Sequence, residues 1–321
     1  MNHSRIAKRV LGLLSMMVLA ASIAAQTYPT KPIRMILPFT GGGDILARPL
    51  AQMLGDSLGQ PVYVENIVGG QTLVGTEAAA RAPGDGHTIL MITNSATINQ
   101  TLRSDMRVDL FKDFVPITQL CTFSLVLVTH PSVPADSLRT LIAHAKANPG
   151  KLAYGSAGPL YQLPTELFKS MAGVDILYVP YKASATSRID LLSGQIQVLM
   201  DGLTSMLPQI KAGKVRAVAV AGAKRSHAAP DIPTFAEAGL AGYEGDGWIG
   251  FLAPAGTPAH AVNRLQAEIA RILARPAVQA FYRDQANEPI ASTPEEYALF
   301  LKHDVAKWAK VIREAGAKPA Q

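Results

Sequence analysis

Short apolar or β-branched runs alternate with longer amphipathic stretches along almost the whole chain. The short runs predict strands at Ile33–Pro38, Val62–Glu65, Thr88–Ile92, Val115–Cys121, Leu125–Thr129, Leu152–Ser156, Leu177–Val179, Val198–Asp201, Val215–Val220 and Ile249–Ala253. The longer stretches predict helices that include Ile45–Leu58, Leu138–Ala147, Thr165–Ala172, Ala183–Leu192, Pro258–Ala274 and Pro294–Ala315. Alternation of this kind argues for α/β layers with mostly parallel sheets flanked by helices, not for a bundle or a sandwich. Ligands of such sheets gather beyond the carboxyl ends of the strands. Thr40–Gly43, Thr93–Thr97 and Gly155–Tyr161 therefore share one kind of edge.

Two Pro-flanked hydrophilic transitions, at His130–Ala135 and Ala229–Gly247, interrupt the alternation. A chain that crosses between two domains more than once explains both. The division expected is residues 26–128 with 248–321 in the first domain and 129–247 in the second, the last helices packing back on the first. Residues 1–25 carry Arg5, Lys8 and Arg9, an apolar run Val10–Ala21, and small residues at Ser22, Ala24 and Ala25. That is the pattern of a cleavable export signal, cut after Ala24 or Ala25, with no cysteine there to take a lipid. The run is too short for a membrane span.

Export narrows the rest. Cys121, the single cysteine, sits among Leu120, Phe123, Leu125 and Val126, so it reads as a small buried hydrophobe, and no internal disulfide exists. Loss of three basic and no acidic residues with the signal lowers the formal charge from +6 to +3. That excess suits small anions without demanding them, and no basic cluster interleaved with aromatics points to nucleic acid.

Gly41–Gly43 between a strand and a helix opening at Asp44 presents unpaired N–H groups and a positive dipole end, which is an anion site; Asp44 equally suits the N-cap of an ordinary connection. The run lacks the Gly-Lys-Ser/Thr of a phosphate loop and the third glycine of a dinucleotide fingerprint. Gly55-Asp56-Ser57-Leu58-Gly59 matches a nucleophile elbow in letters, but Ser57 ends a helix where the elbow needs a strand before it. The seven histidines show no metal-ligand spacing, with each other or with Cys121. No acid–base pair, activated nucleophile or cofactor lysine can be defended, so the expectation is a binding protein, not an enzyme, with neither metal nor cofactor.

Several segments resemble the Bug-type periplasmic substrate-binding proteins of the tripartite tricarboxylate transporter class, from about Tyr28 to Gly316. They are Tyr28-Pro29-Thr30-Lys31-Pro32-Ile33-Arg34 with Pro38-Phe39, Val64-Glu65-Asn66, Pro83-Gly84-Asp85-Gly86, Val179-Pro180-Tyr181-Lys182, Asp190-Leu191-Leu192-Ser193-Gly194-Gln195 and Gly250–Pro258. The resemblance implies a periplasmic, monomeric receptor of two α/β domains. They close like a Venus flytrap on a small carboxylate held by backbone amides and hydroxyls, for delivery to membrane subunits of a tripartite transporter.

Three segments depart from the family's pattern. Pro38–Asp44 is shorter, Gly69-Gly70-Gln71-Thr72 replaces a Gly-Ala-Gly-Gly turn, and Ser156-Ala157-Gly158 runs into Pro159-Leu160-Tyr161-Gln162-Leu163 with Gln162 where histidine is common. The change toward apolar area at Leu160 and Tyr161 suggests a ligand with a larger or aromatic body. Expected ligand-site residues are Phe39, Thr40, Gly42, Gly43, Asp44, Gln71, Thr93, Asn94 and Ser95 from the first domain, with Asp44 ordering its loop. From the second come Ser156, Ala157, Gly158, Tyr161, Gln162, Lys182 and Asp201, with Lys182 equally readable as a solvated charge. Two other functions stay in view: a ligand sensor docked on a membrane signalling protein, and a hydrolase using Ser57.

Overall fold

The structure, a computed structural model, describes residues 28–40 and 42–317; the expected export signal and Gly41 lie outside the described residues. In chain order the elements are β1 (Ile33–Leu37), α1 (Gly42–Leu58), β2 (Val62–Asn66), α2 (Leu73–Ala80), β3 (Thr88–Thr93), α3 (Asn94–Leu102), β4 (Phe114–Phe123) and β5 (Leu125–Thr129). Then follow α4 (Leu138–Ala147), β6 (Ala153–Ser156), α5 (Pro159–Ala172), β7 (Leu177–Pro180), α6 (Ser184–Leu192), β8 (Val198–Gly202), α7 (Leu203–Lys211) and β9 (Arg216–Val220). The chain ends with β10 (Gly247–Pro254), α8 (Ala259–Leu273), α9 (Pro276–Asp284), β11 (Asn287–Pro289) and α10 (Pro294–Ala315).

The strands form two sheets, ordered β11-β4-β10-β3-β1-β2 and β7-β6-β8-β5-β9. Both have helices on both faces, and the alternation of side chains shows it. In β1, Ile33, Met35 and Leu37 enter one core with Leu46, Leu50 and Leu54 of α1 and Leu265, Ile269 and Ile272 of α8. Ile36 faces the opposite core with Leu90, Ile92, Trp248 and Tyr297. Leu125 and Leu127 of β5 likewise separate from Val126 and Val128. A strand covered on both faces must be apolar at every position, which is why these segments read as unbroken hydrophobic runs.

The expectation of mostly parallel sheets needs correction. Only β2-β1-β3 and β7-β6-β8 pair in parallel; β3-β10, β10-β4 and β4-β11 in one sheet and β8-β5 and β5-β9 in the other are antiparallel. The cause is the crossing of the chain between sheets. β4 leaves the first sheet at Phe123 and β5 begins the second at Leu125, so Ser124 alone joins them. A strand that enters where its neighbours leave must run against them. β5 does so in the second sheet and β10, returning after β9, in the first.

The crossing therefore lies at Ser124, inside the span expected for the first domain, and β5 belongs wholly to the second sheet. Its surroundings clamp it: Ser124 N donates to Ala286 O at 3.3 Å, Leu203 N donates to Ser124 O at 2.9 Å, and Ala221 N donates to Leu125 O at 2.8 Å. Thr204 Oγ1 adds a 2.5 Å bond to Gln285 O, just before β11. Gly247, which starts β10 beside Phe123, lets that ring lie against the strand: a Cβ there would come within 2.1 Å of it, and the ring would have to move. Beside this hinge the two units share an apolar seam, in which Leu163 of α5 is enclosed by Ile98 and Leu102 of α3 and Trp308 and Val311 of α10.

Ile269 is fully buried in the first core. Ile269→Ala is expected to cost about 2–5 kcal/mol, from lost transfer energy plus the cavity left behind. Urea unfolding checks it: the midpoint falls with the slope unchanged.

Candidate functional site

The strand directions bring one set of loops from each sheet to face the other. In the first sheet, register aligns Phe123, Gly247 and Asn287 at one edge, with Thr93 opposite Ile249 two residues in, and Leu37 with Asn66. In the second, Leu125, Gly202, Ser156 and Pro180 hold the matching edge. The N-termini of α1, α3, α5, α6 and α7 follow these edges directly. The positive dipole ends of these helices make the cleft a place for negative charge.

On the first side, the glycine run is less of a loop than the sequence suggests, because Gly42 and Gly43 already belong to the first turn of α1. Gly43 lets the Phe39 ring fold over the helix start, where a Cβ would meet that ring at 2.3 Å. Asn66 at the end of β2 donates from Nδ2 to Phe39 O at 2.9 Å and to Asp44 Oδ1 at 3.1 Å. Arg48 Nη2 donates to Asp44 Oδ1 at 2.9 Å and to Asn66 Oδ1 at 2.8 Å. The Asp44 charge is thus spent inside the loop, and Thr40 stands exposed at its tip.

The next loop carries four consecutive left-handed residues: Gly69, Gly70, Gln71 and Thr72, with φ of 138°, 55°, 55° and 85°. For Gln71 and Thr72 that conformation costs of order 1–3 kcal/mol each, and it persists only where surroundings impose it. Asn99 Nδ2 donates to Gln71 O at 2.9 Å and Thr76 Oγ1 donates to Thr72 O at 2.9 Å, which supplies the constraint.

Thr93–Ser95 is not the loop the sequence suggested. Thr93 caps α3, accepting from Ser95 N at 3.2 Å, and Asn94 is its first helical residue. Asn94 is fully buried, and neither of its amide atoms has a hydrogen-bond partner among the described residues. Ile98, one turn along, packs in the seam with Leu163, so this face of α3 looks toward α5. Behind it, buried Asp304 accepts from Thr97 Oγ1 at 2.6 Å and Trp248 Nε1 at 3.0 Å and pairs with Lys307 at 3.0 Å. These bonds lock α3 to β10 and α10.

On the second side, Ser156 Oγ donates to Gly158 O at 2.9 Å, turning the chain into α5, which starts at Pro159, six residues before the helix expected at Thr165. Proline at the first helical position loses no hydrogen bond. Ala157 is half-buried; Gln162 is buried in the first turns of α5. Asp201, only 1% exposed, ends β8. It accepts from Gly202 N at 2.7 Å, from Arg188 Nε at 2.8 Å and from the Tyr161 hydroxyl. Burial pushes its carboxyl above the ordinary value, and the Arg188 charge opposes that rise. Burial, and then the Asp201 charge, push the Tyr161 phenol up. Lys182 lies exposed beyond β7 with no hydrogen-bond or ion-pair partner among the described residues.

The expected residues therefore divide between two facing edges. Arg188, Asn66 and Asn99 escaped the sequence reading. Their signals are faint: a lone arginine in the middle of a short helix, and two asparagines that serve only backbone and side-chain neighbours. Ser57 is placed by the structure in the last turns of α1, where its hydroxyl donates to Glu268 and accepts from Arg271 of α8. That is a tie between helices, with no preceding strand to form an elbow.

At the hinge, Asp246 lies against Gly222, where a Cβ would come within 2.9 Å of its Oδ2. Burial pushes its carboxyl up from 3.8 to about 7, against the pull of Lys307 and of the Leu125 N–H.

A family model described as "Tripartite tricarboxylate transporter family receptor" matches residues 46–317. Protein BugT of Bordetella pertussis is 37% identical over 306 residues, 94% of each chain. The R. palustris protein Rpa4515, solved with adipate, superposes with a TM-score of 0.83 at 34% identity, over 91% of this chain and 100% of its own. MatC from Rhodopseudomonas palustris, solved with bound malate, gives 0.78 at 26% identity, over 89% and 100%.

A carboxyl whose pKa rises on folding favours the folded state fully below its unfolded value and loses that contribution as pH climbs through the folded one, here about 7. The stability of Asp246→Asn relative to the unaltered protein is therefore expected to grow from pH 5 to pH 8. Thermal unfolding at the two pH values reads it, and a difference that stays constant would contradict the buried acid.

Proposed function

Because the chain belongs to the tripartite tricarboxylate transporter receptor family, we propose that it is a periplasmic solute receptor that captures a small organic carboxylate between its two domains and delivers it to the membrane subunits of such a transporter. The observation that carries this reading is the convergence of helix N-termini from both sheets on one cleft, behind a hinge at Ser124. Such a cleft offers fixed N–H donors to an anion with little loss of mobile side-chain entropy. Dicarboxylates held by two relatives, adipate and malate, support the ligand class. The nearly saturated charges of Asp44 and Asp201 support it too, since neither repels an anion as a bare carboxylate would. Tyr161, half-buried in the first turn of α5, brings ring area to the same wall, which suits a ligand with a larger or aromatic body.

Nothing in this arrangement activates a nucleophile, and binding, not turnover, is the proposed role. Closure on the ligand presents a surface shared by both domains to the membrane subunits.

Isothermal titration of the exported form with adipate, malate, benzoate, an amino acid and a neutral amide tests the proposal. Binding is expected for one or more acids, with the neutral amide inert. A ligand at 100 times its dissociation constant also stabilises the folded protein by about 2.7 kcal/mol, visible as a raised melting temperature. Binding of the amide alone would overturn the carboxylate assignment.

A further inference from the structure

The second domain's wall holds a cation that the sequence reading did not include. Arg188 stands on α6, one turn in from its start at Ser184, in the helix that follows the cleft end of β7. Its Nε donates to Asp201 Oδ2 at 2.8 Å, and its side chain stays 34% exposed while Asp201 is 1% exposed. Only Nε is engaged: neither Nη1 nor Nη2 has a hydrogen-bond partner among the described residues. A guanidinium presents its donors as a rigid planar fork. Held by Nε, this one keeps two parallel N–H vectors for something else.

Asp201 is not itself a receptor for a ligand. One oxygen takes Gly202 N at 2.7 Å, the other takes Arg188, and the Tyr161 hydroxyl also donates to it. Its negative charge is matched by Arg188 and its lone pairs are largely occupied. What the group accomplishes is orientation. A buried carboxylate, anchored at the end of β8 and steadied by Tyr161 from α5, sets the plane and reach of a half-exposed guanidinium at the cleft edge. On the facing side, Asn94 offers a buried amide whose donor and acceptor have no partner among the described residues. Leaving a fully buried amide unpaired is costly, and α3 turns that face toward α5.

We propose that Arg188 is a specificity-determining residue of the cleft, gripping one carboxylate of the ligand through Nη1 and Nη2, with Asp201 and Tyr161 as positioning residues. The inference rests on the receptor reading and sharpens it: the end of the ligand that meets the second domain is a planar anion, and a monoamide at that end is rejected. A point charge such as lysine does not reproduce the fork.

The test is titration of the exported form with adipate and with its monoamide, on the unaltered protein, Arg188→Gln, Arg188→Lys and Asp201→Asn, each first checked for an unchanged circular dichroism spectrum. Losing a charge-assisted pair is expected to weaken adipate binding about ten- to a hundredfold in Arg188→Gln. The preference for adipate over the monoamide should collapse with it, Arg188→Lys restoring only part. Asp201→Asn should reduce the same preference, because its arginine is no longer aimed; a merely structural loss would weaken both ligands equally. Adipate binding unchanged in Arg188→Gln, or an unchanged preference, overturns this role and leaves the receptor reading standing. Failure of the unaltered protein to bind either adipate or malate overturns the dicarboxylate reading and the proposal with it.

Discussion

The chain passes from one sheet to the other through a single residue, and much of the molecule follows from that passage. Ser124 joins two strands with no loop to relax between them, so β4 must end, and β5 must begin, at the edges that face each other. The parallel strands β1 to β3 and β6 to β8 then finish at those edges, and their following helices start there. One topological restriction thereby aims five helix N-termini at a common space. Hydrogen bonds to Ser124, Leu125 and Gln285 hold the passage, and the glycine at 247 allows Phe123 to lie against the returning strand.

Charge in this space is managed by pairing. Asp44 is consumed by Arg48 and Asn66, Asp201 by Arg188, Gly202 and Tyr161, and Asp304 by Thr97, Trp248 and Lys307. Each acid would otherwise oppose an incoming anion or strand a buried charge. Paired, they act as anchors: the first shapes the glycine turn, the second aims a guanidinium, and the third fastens α3 to the back of its own sheet. The polar network is a set of props for backbone donors and for one cation.

Much of this was legible in the amino-acid sequence. Runs such as Ile33–Leu37 and Leu125–Thr129 announced doubly covered strands, and Thr293 with Glu296 closes the capping box that starts α10, where helix was expected. The short antiparallel β11 (Asn287–Pro289) was not legible, because three residues carry no periodicity. Nor was α3: Asn94-Ser95-Ala96-Thr97 reads as a polar loop, and it is helical because Thr93 caps it and Thr97 is bonded to Asp304, more than 200 positions away. The extension of α5 back to Pro159 was hidden by proline, which favours a first helical turn as readily as a loop. Arg188 could not be picked out, since its partner lies in the next strand, β8, and its value depends on two nitrogens left unused. The facing edges could be read from the alternation of elements; the side chains that make them selective depend on pairings that no local pattern records.

The seam around Leu163 bears on how faithfully the molecule reports its cargo. α3, α5 and α10 share apolar area across the two units, and whatever part of it is buried only when the domains shut favours the shut form even without a solute. Every 1.4 kcal/mol that it contributes raises the share of shut, empty molecules about tenfold relative to open ones. In the proposed receptor role, a membrane partner that recognises the shut shape would receive false deliveries in proportion. The size of that patch therefore sets a trade between readiness and signal: more of it strengthens apparent affinity, and less of it sharpens the contrast between a loaded messenger and a vacant one.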